Sequence, residues 1–208
     1  MDSTVKIYDI SMEIQESMIV YPSNPSPKIT QYARIPEQVT NESLICMGSH
    51  TGTHVDAGLH VTENGYRSDA IPLDSLYGPC KVLDLTEAGV DIDRIDLEGK
   101  GIKDGDILIL KTENSLKHYR EFRKDFAHIS RSGAEYLIEK KVRTVGIDYL
   151  SVKKFDADND VHEMLIHGMT VFEGLYLKDV EPGEYIFAGL PLRISCDAAP
   201  ARVILIRE

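Results

Sequence analysis

No apolar run in this 208-residue chain approaches the roughly 18 residues needed to cross a bilayer, and its start, MDSTVKIYDI, lacks the basic region and long apolar core of an export signal. The three cysteines, Cys46, Cys80 and Cys196, are odd in number, far apart and without a CxxC pair. Neither a disulfide framework nor a cysteine zinc site is therefore expected, and buried packing in a reducing cytoplasm is the expected role of each thiol. There is no GxSxG elbow, P-loop or GxGxxG, which leaves serine-hydrolase and nucleotide chemistry without support. Positive charge is also scarce. With 23 Lys and Arg against 34 Asp and Glu, the formal charge of −11 argues against nucleic acid or an anionic membrane as a partner and leaves small substrates open. No repeat or low-complexity linker divides the chain, and 42% hydrophobic content suits one domain spanning residues 1–208.

What the chain concentrates is histidine. Three of its seven histidines fall in SHTGTHVDAGLHV, which places His50, His54, Asp56 and His60 within eleven residues. As one extended strand, at roughly 3.3 Å per residue, His50 and Asp56 would lie about 20 Å apart, too far to share an ion with ligands at about 2 Å. As one helix, His50 and His54 would share a face but Asp56 would point to the opposite side. A sharp turn remains, and Gly52, flanked by small Thr51 and Thr53, sits where it is needed. The stretch reads as a metal-binding loop, because ordinary loop histidines seldom crowd round a carboxylate in this way.

Around it, strands are predicted at Lys6–Ile10, Ser43–Gly48, Cys80–Leu85, Asp106–Lys111, Val142–Asp148, Tyr185–Ala188 and Val203–Ile206, and Ser130 can cap a helix running to about Lys141. Ser43–Gly48 would deliver the chain from a sheet into the His50 loop. Pro22, Pro25 and Pro27 impose an extended surface arm, whose Ile19, Val20 and Tyr21 cover core, a pocket or a partner. The basic stretch KHYREFRK, residues 117–124, reads as a solvated face. The strands are too numerous and irregularly spaced for a doubly wound sheet, so a mixed, strand-rich α+β domain is expected.

Downstream, VHEMLIHGMTVFEGL supplies His162, Glu163, His167 and Glu173. A zincin needs HExxH, but these histidines are five apart; a calcium loop needs glycine where Val161 stands and a final glutamate where His167 stands. A short helix ending near Gly168, then a strand from Met169 to Glu173, would set His162 beside Glu173 to complete a metal site. Glu163 and His167 are expected on exposed helix surface.

These residues resemble the metal-dependent cyclase-like hydrolases, whose best-characterised members are the bacterial kynurenine formamidases (arylformamidases). The signature HxGTHxDxxxH is met by His50, Gly52, Thr53, His54, Asp56 and His60. The likeness extends to Tyr21-Pro22, Val145–Asp148 with Ser151, His162, Glu173-Gly174-Leu175 and LPLRISCDAAPARVIL. The resemblance implies an α/β fold of the cyclase-like type, with a twisted, partly barrel-like mixed sheet and a few flanking helices. It implies that His50, His54 and Asp56 bind one divalent ion, that Asp56 bridges to a second held by His162 and Glu173, and that His60 is the acid/base residue. Zinc is the expected metal, with manganese as the alternative. A homodimer or larger oligomer is expected, its N-terminal arm shaping the neighbouring pocket, with Tyr21 as a substrate contact. The implied reaction converts N-formylkynurenine to kynurenine and formate. Tyr21 stands where the formamidases tend to have Trp, Gly58 where they have Pro, and the interval from His162 to Glu173 is one residue shorter. Two other readings stay open: hydrolysis of another small amide or isatin-like lactam, and a non-catalytic, metal-stabilised binding protein.

Overall fold

The computed structural model describes residues 5–117, 119–158 and 160–207. In chain order the elements are β1 (Lys6–Asp9), β2 (Lys28–Ala33), β3 (Glu42–Cys46), β4 (His54–Asp56), β5 (Tyr77–Leu85), β6 (Asp91–Ile92), α1 (Arg94–Leu97), β7 (Ile107–Thr112) and β8 (His128–Ile129). They continue with α2 (Arg131–Glu139), β9 (Thr144–Ile147), α3 (Val161–Gly168), β10 (Thr170–Glu173), β11 (Gly183–Pro191) and β12 (Ala198–Arg207). Seven strands close on themselves in the order β12-β11-β5-β7-β9-β10-β4, with β4 returning to β12. The run β5-β7-β9-β10 is parallel and the other pairings are antiparallel. The strand-rich α+β architecture with a barrel-like mixed sheet is thus as expected.

Strand β7 shows how the sequence builds two cores. Its ILIL alternates: Ile107 and Ile109 point into the barrel with Phe172, Phe187 and Val203, while Leu108 and Leu110 point outward with Leu137 and Leu165 of the helices. Both faces are buried, which is why the run is apolar without alternation. Burying each such side chain contributes about 1.5–3 kcal/mol. Helix α2 begins at the predicted cap, where the Gly133 N–H donates to Ser130 Oγ at 3.2 Å.

Other expectations fail for identifiable reasons. The strand predicted at Ser43–Gly48 is present as β3, yet it pairs with β2 in a separate two-stranded ribbon and does not deliver the His50 loop from the main sheet. Ile29 of β2 and Leu44 and Ile45 of β3 are exposed, so their hydrophobicity marks strands but not a core. Of the cysteines only Cys80 is buried; Cys46 lies exposed on β3 and Cys196 is half-buried. The basic stretch is not a plain solvated face either. Tyr119 and Phe122 pack against a cluster built on Phe126 and Tyr149, while its His118 lies outside the described residues.

Two glycine turns meet beside the predicted site. Gly52 has φ +64° and Gly174 has φ +70°, and a Cβ on Gly174 would stand 2.3 Å from the Gly52 carbonyl oxygen. Thr53 fastens them: its hydroxyl donates to the Gly174 carbonyl and accepts from the Met12 N–H. Gly174→Ala is therefore expected to lose at least about 2 kcal/mol in urea denaturation, from left-handed strain and overlap together; a loss under about 0.5 kcal/mol, the range of neutral surface changes, would contradict this packing. Burial also pushes the Cys80 thiol up to about 12. A thiol reagent at pH 8 should label Cys46 rapidly and Cys80 only after unfolding; early labelling of Cys80 would refute its placement.

Candidate metal centre

Alternation along β4 turns Val55 into the barrel and His54 and Asp56 to its outer face. The antiparallel register sets Glu173 of β10 directly across from His54. Helix α3 covers this face and supplies His162, and the turn at Gly52 folds His50 back over Asp56. Just beyond β4, a short 3-10 turn, Gly58–His60, carries His60 on to the same cluster.

The two carboxylates each present one oxygen to each of two imidazoles. His54 Nε2 lies 3.4 Å from Asp56 Oδ1 and 3.5 Å from Glu173 Oε2. His162 Nε2 lies 2.9 Å from Asp56 Oδ2 and 3.5 Å from Glu173 Oε1. His50 Nδ1 adds a further contact, 3.0 Å from Asp56 Oδ1. Asp56 is 1% and Glu173 3% exposed, so their charge is almost wholly removed from water. Two second contacts fix the geometry. The His54 Nδ1–H donates to the Gly52 carbonyl at 2.9 Å, which aims Nε2 inward, and the Val152 N–H donates to Glu173 Oε1 at 2.8 Å.

Despite this crowding, His54 Nε2 is buried with no carboxylate oxygen closer than 3.4 Å, and Asp56 Oδ1 makes no well-formed hydrogen bond although His50 Nδ1 stands 3.0 Å away. Buried polar atoms seldom go unpaired, since each costs about 1–3 kcal/mol. Two ligand atoms about 2.1 Å from one tetrahedral ion stand about 3.4 Å apart. The observed 3.4 and 3.5 Å separations are too long for good hydrogen bonds and match ligands of a shared cation. Imidazole with carboxylate is also a donor set that zinc and manganese accept. The residues fit a divalent ion.

Proton affinities follow the same electrostatics. Burial disfavours a charged His54, yet Asp56 and Glu173 outweigh it and raise the imidazole to about 10. His50 and His162 are likewise raised, burial being overcome chiefly by Asp56. Burial would raise Asp56, but the imidazoles of His162, His50 and His54 hold it well below the usual carboxylate range. His60 goes the other way: burial lowers it, with His50 and His162 adding to the effect against the pull of Asp56.

His50, His54, Asp56, His60, His162 and Glu173 all meet in this cluster. His50, Asp56 and His60 form one compact group of ligand-type atoms, and His54, Asp56 and Glu173 form another. Glu173 therefore faces His54 as well as His162, where the resemblance assigned it to His162 alone. A cavity of about 450 Å³ opens on to His50, His60, His162 and Glu173, with Tyr21 on its wall. Tyr21 is braced by Phe122 and Phe155, at ring-centroid distances of 5.2 and 5.8 Å. Glu163 and His167 lie exposed on α3, as expected.

Two roles rest on contacts made across the fold. Thr53, small beside Gly52 and part of the HxGTHxDxxxH signature, bonds three segments together, its carbonyl accepting from the Ala201 N–H. Asp197 was an acidic residue within the quoted tail, and its contact with His50 arises from β-pairing 147 residues away. An isolated aspartate before a strand gives no local sign of that.

The family described as "Putative cyclase" matches residues 8–154. A kynurenine formamidase of Salinibacter ruber is 33% identical over 207 residues, covering 96% of each chain. A solved structure described as a "Potential Metal-Dependent Hydrolase With Cyclase Activity" is 40% identical, covers 99% of this chain and all of its own, and superposes with a TM-score of 0.88. Isatin hydrolase A from Labrenzia aggregata shares the fold at 19% identity and a TM-score of 0.82, over 97% of this chain and 93% of its own. By its sequence match and its barrel alike, this chain belongs to the cyclase family.

Proposed function

We propose that this protein is a metal-dependent hydrolase of small amides, cleaving a carbon–nitrogen bond other than a peptide bond. The observation that carries the reading is a pair of buried atoms without well-formed hydrogen bonds, His54 Nε2 and Asp56 Oδ1, beside an open cavity. His50 and His54 are the proposed ligands of one ion and His162 of a second, with Asp56 and Glu173 shared between them. Zinc is the proposed metal, with manganese the alternative. A divalent ion bound there supplies an acidified water and polarises a carbonyl.

The protein's own groups do the rest. His60 Nδ1 faces Asp197, 3.7 Å away, which leaves Nε2 to exchange a proton at the reacting nitrogen. His60 Nε2 would take up the proton released by the attacking water and return it to the departing amine as the carbon–nitrogen bond breaks. Tyr21, packed on Phe122 and Phe155, offers an aromatic wall for the substrate ring. Similarity to kynurenine formamidase over nearly the whole chain favours N-formylkynurenine as substrate, giving kynurenine and formate. A purely structural metal site would be closed, whereas His50, His162 and Glu173 line the cavity.

We further propose a homodimer acting in the cytoplasm. The β2–β3 ribbon is exposed along almost its whole length, and an isolated two-stranded ribbon is marginal in water. No helix of the described residues is long and apolar enough to cross a membrane.

Complete removal of metal should abolish hydrolysis of N-formylkynurenine, and zinc should restore it. His60→Ala should lower kcat by about 10²–10⁴-fold with zinc content unchanged. Full activity in the metal-free protein, or an unimpaired His60→Ala variant, would contradict the mechanism; turnover of isatin but not the formamide would move the substrate to a lactam.

A further inference from the structure

The His50 imidazole is held from both sides. Nδ1 points at Asp56 Oδ1, while Nε2 lies 2.8 Å from Asp197 Oδ2. A carboxylate oxygen can only accept, so the Asp197 contact places a proton on Nε2, and Nδ1, which points at Asp56 Oδ1, is the nitrogen left to serve an ion in the cluster. The same Asp197 oxygen lies 3.7 Å from His60 Nδ1, and the His50 and His60 rings sit 4.2 Å apart. One oxygen thus faces both imidazoles.

Asp197 is itself fixed independently of the histidines. The Ser49 hydroxyl donates to its other oxygen at 3.0 Å. Its carbonyl accepts from the Ala57 N–H at 2.9 Å, and the next residue, Ala198, pairs with Asp56 in the β4–β12 register. The backbone pairing that closes the barrel therefore also sets the distance from Asp197 to His50. A rim carboxylate that merely paired with a surface cation would have no such anchorage on three sides.

We infer that Asp197 is a positioning residue: it fixes the ring orientation and tautomer of His50 so that Nδ1 serves the metal centre, and it orients His60 through the same oxygen. The inference rests on the metal-centre reading given above. Outer carboxylates of this kind typically change metal affinity by about 10–100-fold when removed.

The test measures zinc affinity by competition with a chromophoric chelator, together with the imidazole N–H signals of the zinc-loaded protein in 15N-edited spectra. Wild-type protein should show an exchange-protected Nε2–H for His50. Asp197→Ala should lose that signal and bind zinc about 10–100-fold more weakly. Asp197→Asn, of the same shape but with a neutral acceptor, should keep the signal shifted upfield and bind with an affinity between the two; it carries the test alone if the alanine variant fails to fold. Wild-type affinity and unmoved signals in both variants would overturn the inference while leaving the metal site intact. Failure of the wild-type protein to take up zinc would overturn both.

Discussion

Two carboxylates buried side by side are the constraint on which this structure turns. Asp56 and Glu173 are almost wholly removed from water, and desolvating even one such charge costs several kcal/mol unless positive charge or hydrogen bonds replace the lost hydration. Around them stand three imidazoles, two of which direct a nitrogen at both carboxylates. The imidazoles compensate by taking up protons, which is why His54, His50 and His162 are all raised. Protonation still leaves His54 Nε2 and Asp56 Oδ1 without well-formed hydrogen bonds, however, and a divalent cation would satisfy both.

The barrel is the instrument that forces the carboxylates together. Residues of β4 and β10 meet in antiparallel register, so His54 and Glu173 share the outer face, while Val55 and Phe172 share the inner one. A slip of one residue would send His54 and Asp56 into the apolar interior, which makes the register costly to change. Closing β4 on to β12 adds Asp197, and packing Gly174 against Gly52 brings the His50 loop over the strand end. The site is thus a consequence of two strand pairings and one close packing of glycine turns rather than of any one loop.

This explains which features were legible in the sequence. His50, Gly52, His54, Asp56 and His60 sit within eleven residues, so turn geometry and ligand chemistry could be reasoned locally, and Gly52 does take the left-handed conformation. The apolar runs of β7 and β9 and the Ser130 cap were equally plain, because each follows from its own neighbours. What depends on distant pairing was not legible. Strand β4 is three residues long, too short for any periodic signal to set it apart from the loop before it. Glu173 faces both halves of the cluster only because β10 lies against β4, and β3 joins a separate ribbon although its pattern resembles that of a core strand.

The relation between the buried site atoms and a bound cation can be tested directly by anomalous diffraction from crystals grown with zinc, collected above and below the zinc edge. The account predicts an anomalous peak within ligand distance of both His54 Nε2 and Asp56 Oδ1, with His50 still presenting Nδ1. Density showing those two atoms satisfied by water or by each other, with zinc absent or bound elsewhere, would contradict it.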